Sequence, residues 1–450
     1  MKLFDVLVAF AGISLLLLAG ITLRRKLRLL QALGIPEALV AGLLGLLIGP
    51  YGPWPVFPER VYAVWSQTPG VLISLVFATL FLGQRLPSPR ELWRRAAGQT
   101  AFGMTLGFGQ YLVGGLMVLL VLQPLFGTNP LMACLIEVGF EGGHGTAAGM
   151  GTTFSDLGLP SGEALGLAMA TVGVVSAVLI GSTLVVIGRS RQWLKQRASA
   201  GEAVAEAQIT AVAPSGPVGV VTIDALTVNL ALAGGAVGLG VLLKEGITQT
   251  GRALGGDGTA QLLEAIPVFP LAMVGGLLVQ LLLQWRRHPD LASAALQSSV
   301  GSLAMDVLIT AAMASINLPM LEENWLPFLL LALAGLVWNV AVFLLLGPRV
   351  FRDHWFERSI ADFGQGTGVT ATGLLLLRMA DPRGSSRAME SFSFKQLVFE
   401  PFLGGGLVTA LAPIAVVSWG LPGFSAVALL LTAAAIGFGL WVGRRPAPLA

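Results

Sequence analysis

Charge is scarce in this chain: 11% of its 450 residues are Asp, Glu, Lys or Arg, against 55% hydrophobic ones. A soluble globule needs a charged, solvated surface, so the shortage excludes an ordinary one. Cysteine is nearly missing too. Cys134 stands alone, which rules out an internal disulfide and the common Cys-zinc motifs. The three histidines, His144, His288 and His354, are scattered and make no ligand cluster. There is no Gly-x-Ser-x-Gly, no phosphate-binding loop and no His-Glu-x-x-His, so nothing points to an enzyme, a nucleotide or another cofactor. Any driving force must then come from an ion gradient.

What the chain has in abundance is apolar runs. About 20 apolar residues cross a bilayer as a helix, and such runs lie near 4–23, 36–50, 69–86, 98–122, 163–188, 223–243, 267–285, 300–318, 325–347, 396–417 and 423–443. The expected fold is an all-α polytopic membrane protein of about eleven transmembrane helices. Arg24, Arg25, Lys26 and Arg28 follow the first run rather than precede it, which marks a retained span with its N-terminus outside. A polar segment at 189–218 reads as a cytoplasmic linker between halves at 1–188 and 219–417, with an extra helix and tail at 418–450. The halves resemble each other in letters, Pro36-Glu37-Ala38-Leu39-Val40-Ala41-Gly42-Leu43-Leu44 lying over Pro270-Leu271-Ala272-Met273-Val274-Gly275-Gly276-Leu277-Leu278. Five spans is an odd number, so the two repeats are expected to be inverted. With this topology all 27 Lys and Arg but four (Lys2, Arg60, Lys244 and Arg252) fall on the cytoplasmic side, as the positive-inside rule requires. The C-terminus is then cytoplasmic.

Two glycine-rich stretches interrupt the apolar pattern at corresponding places. The first, near 137–155, contains Glu141-Gly142-Gly143-His144-Gly145-Thr146; the second, near 357–375, contains Asp362-Phe363-Gly364-Gln365-Gly366-Thr367. Irregular backbone at membrane depth survives only inside protein or along a wet cavity. A pair of such interruptions in matching positions of two halves points to re-entrant loops meeting near the midplane. Gly142, Gly143, His144, Gly145, Thr146, Gly364, Gln365, Gly366 and Thr367 are the candidates to bind a carboxylate-bearing substrate through backbone ends and hydroxyls. The alternative is that the glycines only allow helices to pack closely.

Intramembrane acids are the candidates for a coupling cation: Glu137, Glu141, Asp362 and Asp306, the last with Thr310 one helical turn along. Hard cations take oxygen ligands, and sodium is the metal expected; a structural hydrogen bond is the other reading of Asp306. Glu400 either sees the same cavity or caps a helix kinked at Pro401. Gln110 and Asn339 either bond loop backbone or substrate, or join helices. Arg378 either pairs with a substrate carboxylate or is a positive-inside residue, and His144 either titrates or donates one hydrogen bond. Trp54, Trp65, Trp325 and Trp419 read as interface anchors.

The Gly142-Gly143-His144-Gly145-Thr146 motif between two spans, with a partner motif in an inverted second half, resembles the bacterial sodium/glutamate symporters, the glutamate:sodium symporter family. The resemblance implies two inverted five-span domains, re-entrant loops at the translocation site, sodium-coupled uptake of L-glutamate by alternating access, and a homodimer in a bacterial plasma membrane. Gly364-Gln365-Gly366-Thr367 matches its counterpart less closely, and the span at 423–443 is additional. Other readings are a transporter of another small carboxylate or inorganic anion, an ion channel, or the membrane subunit of a sodium pump.

Overall fold

The computed structural model describes residues 3–32, 35–84, 89–194 and 223–444, so most of the expected linker and residues 445–450 lie outside the described residues. The first half contains α1 (Leu3–Lys26), α2 (Glu37–Ile48), α3 (Glu59–Thr79) and α4 (Pro89–Met117), the last continuing to Phe126. It ends with the short helices α5 (Leu135–Phe140), α6 (Gly143–Gly149) and α7 (Gly151–Asp156), and the long α8 (Gly162–Ser190). The second half contains α9 (Ile223–Glu264), α10 (Val268–Trp285), α11 (Ala294–Ala314) and α12 (Trp325–Ala341, continuing to Val350). There follow α13 (Trp355–Thr367), α14 (Thr370–Ala380), α15 (Ala388–Phe399) and α16 (Leu407–Arg444).

Among the described residues nine helices are long and apolar enough to cross a membrane. Two facts separate this number from the eleven expected. Helix α2 has 12 residues, about 18 Å at 1.5 Å per residue, short of a ~30 Å hydrocarbon core. Helix α16 runs through the end of one expected span and the whole of the next, joined across Gly420 at φ +68°. The expected span at 396–417 is itself divided between α15 and α16, because Pro401 and Gly404–Gly406 break it. Its hydropathy stays high through the break, so an apolar window passes over it.

The helices sort into two bundles. Helices α1, α2 and α3 pack with α9, α10 and α11; helix α4 and everything from α5 to α8 pack with α12 to α16. In the first bundle Trp65 is fully buried and donates to the Ala9 carbonyl at 3.0 Å, a correction to its expected place at the interface. Trp54, Trp325 and Trp419 are exposed.

Helix α8 is the spine of the second bundle, and small residues make it so. Added Cβ atoms at Gly162, Gly166, Gly181 and Gly188 would meet Phe154, Ala147, Leu376 and Phe356, while Gly173 faces both Phe140 and the Thr367 carbonyl. Two helical hairpins therefore lie end to end along one helix. The first, α5 to α7, starts and ends on one side: Asn129 Nδ2 donates to the Gly158 carbonyl at 2.9 Å. The second, α13 and α14, does so at the opposite end of α8, where Arg189 donates to the Met379 carbonyl at 2.6 Å and Trp193 packs on Trp355. Their tips meet at Gly173 in the middle.

A repeated local device precedes each hairpin. Helices α4 and α12 both widen into a π turn, Val118–Leu122 and Val342–Leu346, just before Pro124 and Pro348. Proline removes a backbone donor and pushes against the carbonyl four residues back; one wider turn relieves the clash without unwinding the helix.

Candidate functional site at the junction of the hairpins

Neither glycine-rich stretch is an irregular loop. The backbone keeps its helical hydrogen bonds wherever it can, since an unpaired peptide group away from water is costly. The first hairpin breaks at Gly142–Gly143, where Gly143 takes φ +70°. In the second, α13 runs unbroken through Asp362 to Thr367 and the break comes later, at Gly368 and the extended Val369. A Cβ on Gly143 would stand 2.8 Å from Val369 Cγ1, and one on Gly366 would stand 3.6 Å from Glu141 Oε1, so the tips touch. A third break, residues 400–406 with Gly404 at φ +70° and Gly405 at φ +106°, lies against the Glu141 carbonyl and Thr146.

Each expected residue can now be placed. Glu137 is a staple: Tyr111 Oη donates to Oε2 at 2.5 Å, and the Gly404 N–H and Thr409 hydroxyl donate to Oε1 at 2.9 and 2.7 Å. Glu141, one turn on, is the opposite case. The residue is 5% exposed, its two carboxylate oxygens are buried, and neither has a hydrogen-bond donor among the described residues. His144 Nε2 sits 3.0 Å from Thr171 Oγ1, which itself donates to the Leu167 carbonyl; the imidazole therefore donates to Thr171. Thr146 is buried at Gly405. Gly145 and Gly364 serve packing, the first against Met305 of α11 and the second against Gly373 of α14.

Gln110 and Asn339 stand at different distances from the π turns of their helices, yet both donate to the Gly366 carbonyl, at 2.5 and 2.8 Å; Asn339 also donates to Thr367 Oγ1 at 3.0 Å. They fasten the second tip. Glu400 ends α15 and accepts from Gln396, which also donates to Thr370 at the start of α14. Arg378 lies in the last turn of α14, away from the tip. Asp306 and Thr310 lie on α11 of the first bundle, outside the two hairpins. Thr310 donates to the Asp306 and Ala38 carbonyls, and the exposed Asp306 side chain has Glu37 as its charged neighbour.

The sequence profile of the sodium/glutamate symporter family matches residues 3–353, most of the chain. The chain belongs to that family. The symporter is thus a multi-pass membrane transporter whose substrates are sodium and glutamate. The match ends just before the second hairpin. Comparison with curated proteins gave no match. Among solved structures, the sodium proton antiporter MjNhaP1 from Methanocaldococcus jannaschii at pH 8 is 17% identical, with 98% of this chain and 100% of that chain covered. Its TM-score of 0.37 carries no argument about this chain.

The symporter also brings to the junction residues that sequence reasoning did not single out. Lys395, counted there among cytoplasmic charges, is fully buried; its Nζ lies 3.3 Å from Asp362 Oδ1 and donates to Gln365 Oε1 at 2.5 Å. Gln99 donates to Asp362 Oδ2 at 2.8 Å. A signal for Lys395 was present: Phe392 and Phe399 fall three before and four after it, on the same helical face. Both rings lie over the ammonium, Phe399 at 3.8 Å.

Proposed function

We propose that the symporter moves glutamate by alternating access through the junction of the two hairpins, with Glu141 as a ligand of the coupling sodium. In this reading the halves are inverted repeats in a bacterial plasma membrane, N-terminus outside and C-terminus cytoplasmic. The hairpins are then re-entrant from opposite faces, and the protein works as a homodimer. Helix ends of both signs converge at the tips: the C-terminal ends of α5 and α13 offer carbonyls to a cation, and the start of α14 offers N–H groups to a substrate carboxylate.

The observation that carries the reading is the Glu141 carboxylate, buried where the tips touch with neither oxygen receiving a hydrogen bond among the described residues. A charged group held that way needs a counter-ion, and a partly dehydrated sodium takes oxygen ligands readily. In vesicles of purified protein, Glu141→Gln should reduce gradient-driven uptake of labelled glutamate to the level seen without a sodium gradient. Its thermal unfolding in sodium-free buffer should be no lower than wild type, since an uncompensated buried charge is removed and no hydrogen bond is lost among the described residues. Sodium-driven uptake at the wild-type rate would overturn the assignment.

A further inference from the structure

We propose that Lys395 is a tethered counter-ion that closes a second cation position, and so sets how many sodium ions the symporter binds. The inference rests on the reading of Glu141 as a sodium ligand and extends it to the second hairpin. The Lys395 ammonium occupies an oxygen cradle: the Asp362 carboxylate at 3.3 Å, the Gln365 amide oxygen at 2.5 Å, and the face of Phe399 behind it. Carboxylate and amide oxygens are also what a sodium ion takes. The cradle is held in place independently of the lysine, because Gln99 donates both to Asp362 Oδ2 and to the Arg358 carbonyl. Room for the ammonium comes from α4, where a Cβ on Gly103 would stand 2.5 Å from Lys395 Cε and 3.0 Å from Nζ.

The charges around the ammonium come from three elements. Glu141 on the first hairpin, Asp362 on α13 and Glu400 at the end of α15 all feel its charge, and of these Asp362 is the one in ion-pair distance among the described residues. One fixed positive charge thus serves a group of three carboxylates and engages Asp362 directly. A cation on a short tether outcompetes a free one because it is always at high effective concentration. Asp362 is therefore kept from sodium, while Glu141, with no donor among the described residues, is left open to it. Removing the ammonium while keeping Asp362 should open the cradle to one additional ion.

The test is equilibrium binding of radioactive sodium to purified, detergent-solubilised protein without glutamate. Lys395→Met should bind one more sodium per chain than wild type, and the double variant Lys395→Met with Asp362→Asn should return to the wild-type number. A Lys395→Met protein that binds the wild-type number or fewer overturns the proposal. Glu141→Gln, measured alongside, should bind one fewer; if it binds as many as wild type the Glu141 reading fails, whatever the lysine variant does. If Lys395→Met does not fold, Gly103→Ala displaces the ammonium by contact: additional sodium supports the proposal, and an unchanged number overturns it.

Discussion

Acids one turn apart in the first hairpin have unlike surroundings, and the difference assigns their work. Glu137 receives three donors from three different parts of the second bundle, so it joins α4, the first hairpin and the break before α16. Hydrogen bonds to a charged group contribute about 1.5–3 kcal/mol each, and a buried donor left unpaired costs about 1–3 kcal/mol. Tyr111→Phe should therefore lower stability by about 1.5–3 kcal/mol, and Glu137→Ala by more, since it strands the Tyr111 and Thr409 hydroxyls and the Gly404 N–H. Thermal unfolding in detergent should rank wild type above Tyr111→Phe above Glu137→Ala; equal midpoints for the two variants would remove the staple. Both glutamates are visible in the sequence as intramembrane acids. What distinguishes them comes from Tyr111, Gly404 and Thr409, which are remote in sequence and carry no local mark of their contact.

At the scale of elements, glycine positions set where backbone can approach backbone. Gly173 of α8 sits where both hairpin tips converge: a Cβ there would stand 2.9 Å from Phe140 Cδ1 and would overlap the Thr367 carbonyl. Backbone cannot move aside as a side-chain end does, and overpacking of this kind costs about 1–3 kcal/mol. Gly173→Val should thus separate the tips and lower glutamate uptake by about tenfold or more, tenfold in rate being about 1.4 kcal/mol. Gly70→Ala in α3, where among the described residues the new Cβ meets nothing within 4 Å beyond its own turn of helix, should leave uptake unchanged. Equal activity in both variants would show that tip contact is not needed. Backbone approach also accounts for the motif at 362–367, which is helix where its glycines predict a loop. Its glycines are compatible with a break, but α13 retains its hydrogen bonds through them, and the chain yields at Gly368–Val369 instead. Composition gives the tolerance for a break, and packing against α4, α8 and α12 selects its place.

For the whole molecule, the contact between bundles is where alternating access must act. It passes through α6, which touches α3 and α11 of the first bundle. A Cβ on Gly149 would lie 3.3 Å from Ile73 Cβ, close to the ~3.5–4.5 Å of a disulfide. With Cys134 replaced by Ala, an Ile73→Cys and Gly149→Cys pair should stop uptake when oxidised and recover it on reduction. Full uptake by the oxidised protein would mean that the bundles do not slide past each other there. The sequence by itself determined the membrane class, the order of the apolar helices, the two interruptions and the family, because each is written in local composition, periodicity or a contiguous motif. Only the tertiary structure decided that Lys395 is interior, that Asp306 sits on α11 outside the two hairpins, that among the described residues Glu137 has donors and Glu141 has none, and where each hairpin breaks. Those facts depend on which side chain faces which across hundreds of residues of chain, and burial in a membrane protein is set by neighbouring helices that no local window contains.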